Sequence, residues 1–236
     1  LQGMTVKAVA TSPAMRDIRT DATCVMLSGP DAVRRNVMTA LLRIGQPIVL
    51  IQDTLRFAGA DLCRIRQADR EGGRLLGRQV VAAGARNVAM IIPTLHWPAI
   101  AERVAGARAG LRAEGGKLRI VKCGDGDFQG TRAALSQDIL KNGMPDAVLA
   151  GNDQIGVAVL KYLTSRGLQV PRDIMVTGFN AFEFWQYTEP VLTTVRSPAS
   201  EIGARAGRAI LDRLNRGHFE TDEIILPVEL QLGGSV

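Results

Sequence analysis

Polar side chains follow two apolar runs of this 236-residue chain, at the points where the runs stop. Asn152 and Asp153 come after residues 147–150, and Asn180 comes shortly after residues 174–176. Amide and carboxylate groups can each form several hydrogen bonds with hydroxyl groups, as recognition of a polyhydroxylated ligand requires. These residues therefore predict one wall of a small-molecule site.

Further residues at predicted strand ends could complete such a site. Asp53 ends another apolar run, and Phe128 and Trp185 lie in corners where an aromatic ring could cover the C–H side of a sugar. Trp185 could equally pack at a hinge or an interface. Arg103 lies near the start of a helix, where its guanidinium could clamp hydroxyl groups or a carboxylate. An ordinary surface arginine would fit that spacing equally well.

Catalytic and metal-binding patterns are weak in this sequence. His96 could act as a base, but no serine or cysteine nucleophile accompanies it, and GxSxG and HExxH motifs are absent. Asp125 and Asp127 could be paired acids or metal ligands, although such loops more often turn the chain and cap a helix. The three scattered cysteines favour neither a disulfide framework nor structural zinc. We predict no catalytic residue, no metal site and no cofactor.

The elements that position these residues alternate between apolar strands and amphipathic helices. With 46% hydrophobic and 4% aromatic residues, the pattern predicts an α/β protein in which helices cover parallel sheets. Ligands of such proteins bind beyond the carboxyl ends of the strands. Gly72, Gly73 and Gly77 lack a phosphate-loop motif, and we interpret them as sites of close backbone packing. We expect a strand at residues 5–10 and a disordered tail at residues 233–235.

Charge and hydropathy limit the partners. The net charge of +6 comes from arginines spread along helices beside acidic residues, which favours a solvated surface over a nucleic-acid footprint. No apolar run approaches the ~20 residues that span a membrane, and the first residues lack a signal-peptide pattern. We therefore expect a cytoplasmic protein with no membrane partner. The chain starts like the tail of a helix, so we also expect that its natural N-terminus is missing.

Several longer runs occur together and in one order. The most informative are ERVAGARAGL (102–111), PDAVLAGNDQIGVAVL (145–160), SRGLQVPRDIMVTGFN (165–180), EPVLTTVRSP (189–198) and IGARAGRAILDRL (202–214), with looser matches at 44–53 and 71–91. In this combination, the chain resembles the effector-binding domain of the lac repressor (LacI/GalR) family of transcription regulators.

The resemblance implies a ligand-binding role for individual positions. Arg103 stands at the effector-clamping arginine of an RxxG motif, and Asn152 at the ligand-contacting asparagine of an ND pair. Asn180 stands where members usually have an aspartate that holds the effector, so the donor and acceptor pattern differs here. Further contact positions implied by the resemblance are Asp53, Ser197 and Phe128.

The resemblance also implies the periplasmic-binding-protein-like type I fold, with a ligand cleft between two parallel-sheet subdomains. We expect residues 1–67 and 197–227 in the N-terminal subdomain, and residues 68–196 and 228–236 in the C-terminal one. The family's first strand and helix are expected to be missing. The helix-turn-helix headpiece is also absent from this sequence, so operator DNA would be bound only through a headpiece outside it.

Together these features predict the effector-binding domain of a LacI-type regulator. We expect a homodimer in which a sugar or sugar acid induces closure and alters operator binding. One alternative is the periplasmic sugar-binding protein of an ABC transporter, which shares the fold. Another is a small α/β enzyme that uses Asp125, Asp127 or His96.

Overall fold

The computed structural model describes residues 20–124, 126–182 and 185–236, so the strand expected at residues 5–10 lies outside the described residues. In chain order the elements are β1 (Thr23–Met26), α1 (Asp31–Leu42), β2 (Ile48–Ile51), β3 (Leu62–Gln67), α2 (Asp69–Ala82), β4 (Asn87–Ile92), α3 (Pro98–Arg112), β5 (Lys117–Lys122), α4 (Phe128–Asn142), β6 (Ala147–Ala150), α5 (Asp153–Ser165), β7 (Met175–Thr177), a 3-10 turn (Trp185–Tyr187), β8 (Thr194–Arg196), α6 (Ala199–Arg216), β9 (Glu223–Leu226) and β10 (Glu229–Gln231).

The chain divides into two compact units, each built from separate stretches of sequence. Of the described residues, unit 1 contains residues 20–67 together with His96–Pro98 and Pro198–Pro227. Unit 2 contains Ala68–Leu95, Ala99–Ser197 and Val228–Val236. The predicted α/β class with parallel sheets is confirmed in both units.

Unit 1 is a parallel sheet in the order β1-β2-β3-β9 with a helix on each face. Successive strand side chains point to opposite faces, so the two faces bury different residues. One face packs against α1 and the other against α6. The α1 side buries Met38, Leu41, Ile48 and Leu50, and the α6 side buries Val49, Cys63, Ile65, Ile202 and Ala206.

Unit 2 is a second parallel sheet in the order β5-β4-β6-β7. Alternation along β4 again separates two cores. Ala89 and Ile91 pack with α4 and α5, whereas Val88 and Met90 pack with α2 and α3. Because the strands are parallel, their carboxyl ends meet at one edge, and the corners after β6 and β7 are brought together there.

The C-terminal tail belongs to the core of unit 2, and the prediction that residues 233–235 are disordered was wrong. Ser235 is fully buried; its hydroxyl donates to the Val176 carbonyl at 2.6 Å and accepts from the Thr193 amide at 2.7 Å. A Cβ at Gly233 would overlap the Val191 carbonyl. The small residues that resemble a flexible linker are here required by close backbone approach.

Helices α2 and α3 cross almost backbone to backbone, which confirms the packing role predicted for the glycines of α2. A Cβ at Gly77 would lie 2.7 Å from the Ala107 carbonyl oxygen, and one at Gly73 would overlap the Arg103 carbonyl. From the other helix, a Cβ at Gly106 would overlap the Arg70 carbonyl. The crossing therefore brings the start of α2 against the first turns of α3.

No helix within the described ranges is both long and apolar enough to cross a membrane.

We predict that Gly106→Ala destabilises the protein by about 1–3 kcal/mol or more, because the added methyl group forces two packed backbones apart. Chemical denaturation followed by circular dichroism measures this change.

The matched control is Gly203→Ala in α6, where a Cβ meets no atom within 4 Å. That substitution should stabilise unit 1 by roughly 0.5–1 kcal/mol, since alanine is the better helix former. Equal effects of the two substitutions would contradict the crossing.

Candidate functional site

A buried arginine lies at the carboxyl edge of the unit 2 sheet. The guanidinium of Arg103 donates from Nε to Asp69 at 2.8 Å, from Nη1 to the Gly151 carbonyl at 2.7 Å and from Nη2 to Asn180 Oδ1 at 3.0 Å. It also stacks on the Phe179 ring, 3.7 Å from the centroid. The structure thus brings Arg103 and Asn180 together, as the sequence predicted, and adds Asp69 and Phe179. We call Arg103, Asp69, Gly151, Phe179 and Asn180 the Arg103 cluster.

Local structure explains why these residues meet. Asp69 is the first residue of α2, where a carboxylate interacts favourably with the helix dipole. The glycine crossing sets Arg103 against that end of α2. Gly151 follows β6, and Phe179 and Asn180 follow β7, so both corners reach the same guanidinium. Arg103 is only 5% exposed, and each partner offsets part of the cost of burying its charge.

The backbone holds Asn180 in an uncommon conformation. Its φ of 107° is positive, a region that asparagine tolerates better than most residues. The Asn180 amide donates to the Val195 carbonyl at 2.8 Å, and the Asn180 carbonyl accepts from the Ser197 amide at 3.0 Å. Ser197 therefore supports the Asn180 backbone beside the guanidinium. Asn180 itself is half-buried, so it is more open to solvent than Arg103 and Asp69 behind it.

Asp153 is a buried carboxyl in the same corner. Its Oδ1 accepts from the Thr194 hydroxyl at 2.6 Å, and its Oδ2 accepts from the Phe182 amide at 3.1 Å. Burial raises the pKa of Asp153 to about 6, while the Thr194 hydroxyl and the Arg103 charge act in the opposite direction. Its hydrogen bonds join the corner after β7 to β8.

The other residues predicted for unit 2 have more varied surroundings. Asn152 caps α5, since its Oδ1 accepts from the Ile155 amide at 2.9 Å. Phe128 begins α4 and is 40% exposed, with Lys161 Nζ 6.0 Å from its ring centroid. Trp185 is half-buried at the start of the 3-10 turn. None of these three has a described contact with the Arg103 cluster.

Asp53 belongs to unit 1, where it is buried beside Arg34. One carboxylate oxygen pairs with the Arg34 guanidinium, and the other accepts from the Leu55 amide at 2.9 Å. Arg34 also donates from Nε to the Gly29 carbonyl at 2.9 Å. This pair orders the carboxyl end of β2 in the way that Arg103 orders unit 2.

The residues considered for catalysis have structural roles or open surroundings. Asp127 caps α4 by accepting from the Gly130 amide at 2.5 Å, and Asp125 lies outside the described residues. His96 is exposed. Burial raises the pKa of the Cys63 thiol to about 11, which makes it a poor nucleophile. Among the described residues, no cluster of metal-ligating side chains occurs.

Sequence reasoning missed Asp69, Phe179 and Thr194. A sequence signal was available only for Asp69, an acidic residue that follows a strand and begins a helix, where an N-terminal carboxylate is favoured. Phe179 and Thr194 reach the cluster only through tertiary packing, which periodicity does not specify.

Known proteins resemble this chain in sequence and in fold. A family model described as a periplasmic binding protein-like domain matches residues 78–236. The HTH-type transcriptional regulator CelR of Thermobifida fusca is 29% identical over 163 residues, covering 68% of this chain and 48% of that protein. The ribose operon repressor of Escherichia coli is 30% identical over 169 residues, covering 70% of this chain and 51% of the repressor. The chain thus spans about half the length of these curated relatives.

A solved structure of the CelR–cellobiose complex superposes with a TM-score of 0.81 at 23% identity, covering 94% of this chain and 68% of that one. At this identity, the likeness establishes the shared fold.

We predict that Asp153 makes the stability of unit 2 depend on pH. Because burial raises its pKa from 3.8 to about 6, the folded protein keeps a proton between pH 4 and 6 that the unfolded chain has released. Its contribution is most favourable below pH 4 and is lost as the pH rises through 6, by at most ~3 kcal/mol. The free energy of unfolding of the wild type, minus that of Asp153→Asn, should fall by roughly 2 kcal/mol in denaturation experiments between pH 4.5 and 7.

The control is Asp173→Asn, which removes a carboxyl whose pKa is lowered by the Gln169 amide. Its difference from the wild type should stay constant over the same range. A constant difference for Asp153→Asn as well would contradict the prediction.

Proposed function

The chain belongs to the periplasmic binding protein-like domain family, and from this premise we propose that it is the effector-binding part of a LacI-type transcriptional regulator. The observation that carries the proposal is the Arg103 cluster, in which polar groups from separate segments converge at the carboxyl ends of two strands. Convergent polar groups on a rigid scaffold are what a small polar ligand requires. The proposed effector is a sugar or a sugar acid.

Two curated relatives support a regulator over the other hypotheses. They are named as an HTH-type transcriptional regulator and as a ribose operon repressor, and neither is named as a transport protein or an enzyme. Among the described residues, Asp127 caps a helix and His96 is exposed, so the enzyme hypothesis has no assembled pair of catalytic groups there. We therefore propose ligand binding without chemical turnover, in a protein of the cytoplasm.

In the proposed regulator, effector binding changes the equilibrium between two states of the whole protein, and only one of these binds operator DNA well. The effector then alters repression by as much as its affinities for the two states differ. Operator DNA is proposed as a partner of the whole regulator, through a DNA-binding segment separate from the cluster around Arg103.

A second copy of the chain is the proposed protein partner. Unit 2 has an open groove beside α5, in which Val157, Leu160 and Tyr187 form an apolar strip bordered by Lys161, Thr164, Ser165, Thr188 and Glu189. Tyr187 is 81% exposed, which is unusual for a tyrosine beside apolar neighbours. Aromatic residues of this kind are enriched at the centres of protein interfaces, which supports this groove as part of a homodimer interface.

Effector binding is tested by thermal shift with sugars, sugar acids, polyols and purines, because a ligand stabilises the folded state by mass action. For a ligand found in this way, Arg103→Ala and Asn180→Ala should each lower the affinity by ~1–3 kcal/mol in calorimetry. Arg172→Ala, which removes an exposed arginine of unit 2, is the control and should change nothing. Unchanged affinity in both cluster variants would place the site elsewhere.

Homodimer formation is tested with Tyr187→Asp, which replaces the exposed aromatic ring of the groove by a carboxylate. Sedimentation velocity should show a shift from dimer to monomer, because an unpaired charge is costly in a desolvated interface. Leu211→Asp changes an exposed leucine of α6 and should leave the dimer intact. A wild-type chain that is monomeric at all concentrations would refute the proposed dimer.

A further inference from the structure

We propose that Asn180 selects for an effector that presents a carboxylate, so that the ligand class is a sugar acid rather than a neutral sugar or polyol. The inference rests on the proposed effector-binding function, and it narrows the class of effector by the hydrogen bonds that Asn180 can form.

The orientation of the Asn180 side chain follows from the chemistry of its neighbour. A guanidinium carries only donors, so the group that faces Arg103 Nη2 at 3.0 Å must be the amide oxygen. The Nδ2 group of Asn180 therefore points away from Arg103. A polar ligand atom on that side meets the two N–H donors of the Asn180 amide.

Arg103 is itself fixed by the protein and serves to position Asn180. Its Nε and Nη1 groups donate to Asp69 and to the Gly151 carbonyl, and the stack on Phe179 sets the plane of the guanidinium. A plane held in this way keeps Asn180 Oδ1 turned inward. The backbone hydrogen bonds of Asn180 with Val195 and Ser197 also hold its main chain in place.

The neighbouring carboxylates are engaged within the protein. Asp69 pairs with Arg103, and both Asp153 oxygens accept from protein donors. Asn180 is half-buried whereas these two residues are buried, so the neutral amide is the more solvent-open group. A ligand carboxylate at this position gains a charge-assisted hydrogen bond. A hydroxyl group there gains only a neutral one and leaves its own proton without an acceptor on Asn180.

The test compares ligands that share a carbon skeleton. D-gluconate is paired with D-glucose and D-galacturonate with D-galactose, and each is titrated by calorimetry into the wild type, Asn180→Asp and Asn180→Gly. The wild type should bind at least one acid about tenfold more tightly than its neutral partner, as expected for a hydrogen bond to a charged group. Asn180→Asp replaces donors by an acceptor and should abolish or reverse that preference.

Asn180→Gly removes the amide without adding charge, and glycine readily adopts the positive φ of this position. It should lower the affinity for the acid roughly tenfold and that for the neutral sugar by a smaller factor. The charge control is Asn142→Asp at the last residue of α4, which lies at the other end of the sheet and should keep the wild-type preference. Thermal unfolding of each variant checks that it is folded.

The outcomes separate the two proposals. A wild type that binds the neutral sugars as tightly as the acids, or an acid preference that survives Asn180→Asp, overturns the role of Asn180 while effector binding stands. A folded wild type that binds none of these four ligands overturns the sugar-acid inference. If the wider thermal-shift screen also finds no ligand, the proposed effector function fails with it.

Discussion

The buried guanidinium of Arg103 is the interaction on which the corner of unit 2 depends. A charge removed from water must be offset by acceptors, and no single segment of this chain supplies enough of them. Asp69, Gly151 and Asn180 are separated from Arg103 by 34, 48 and 77 residues, and each contributes one acceptor. Because one buried charge needs all three acceptors, it fixes the start of helix α2 relative to the ends of strands β6 and β7.

That arrangement depends in turn on glycine. The α2–α3 crossing lets two helix backbones touch, and only this proximity brings Asp69 and Arg103 within hydrogen-bonding distance. Larger residues at Gly73 or Gly106 would separate the helices and leave the guanidinium without its carboxylate. Packing and electrostatics are coupled here: the cost of an unpaired charge reinforces the close packing, and the close packing makes the pair possible.

Much of the fold was predictable because it follows from periodicity and from residues with a single strong preference. Apolar runs gave the strands, glycines gave the crossing, and the predicted LacI/GalR resemblance is confirmed by the family match and the relatives. Asn180 was singled out because it follows an apolar strand, whereas Arg103 was singled out through its place in the RxxG motif of the LacI/GalR resemblance. Phe179 and Thr194 were missed, since their contacts depend on tertiary packing. The tail was misjudged because Gly233 and Ser235 resemble a linker until the groove that receives them is known.

The burial of Ser235 also has a consequence for the order in which the polypeptide can fold during synthesis. Unit 2 starts at Ala68, but the hydroxyl that bridges Val176 and Thr193 comes almost 170 residues later in the chain. Most of the unit will have left the ribosome while the edge of its sheet still lacks this partner, and domains generally complete folding as units. Unit 2 therefore reaches its final hydrogen bonding only after Ser235 has been made, and so after the whole of α6. Until then, the strand edge at Val176 lacks this partner and is open to proteases and chaperones.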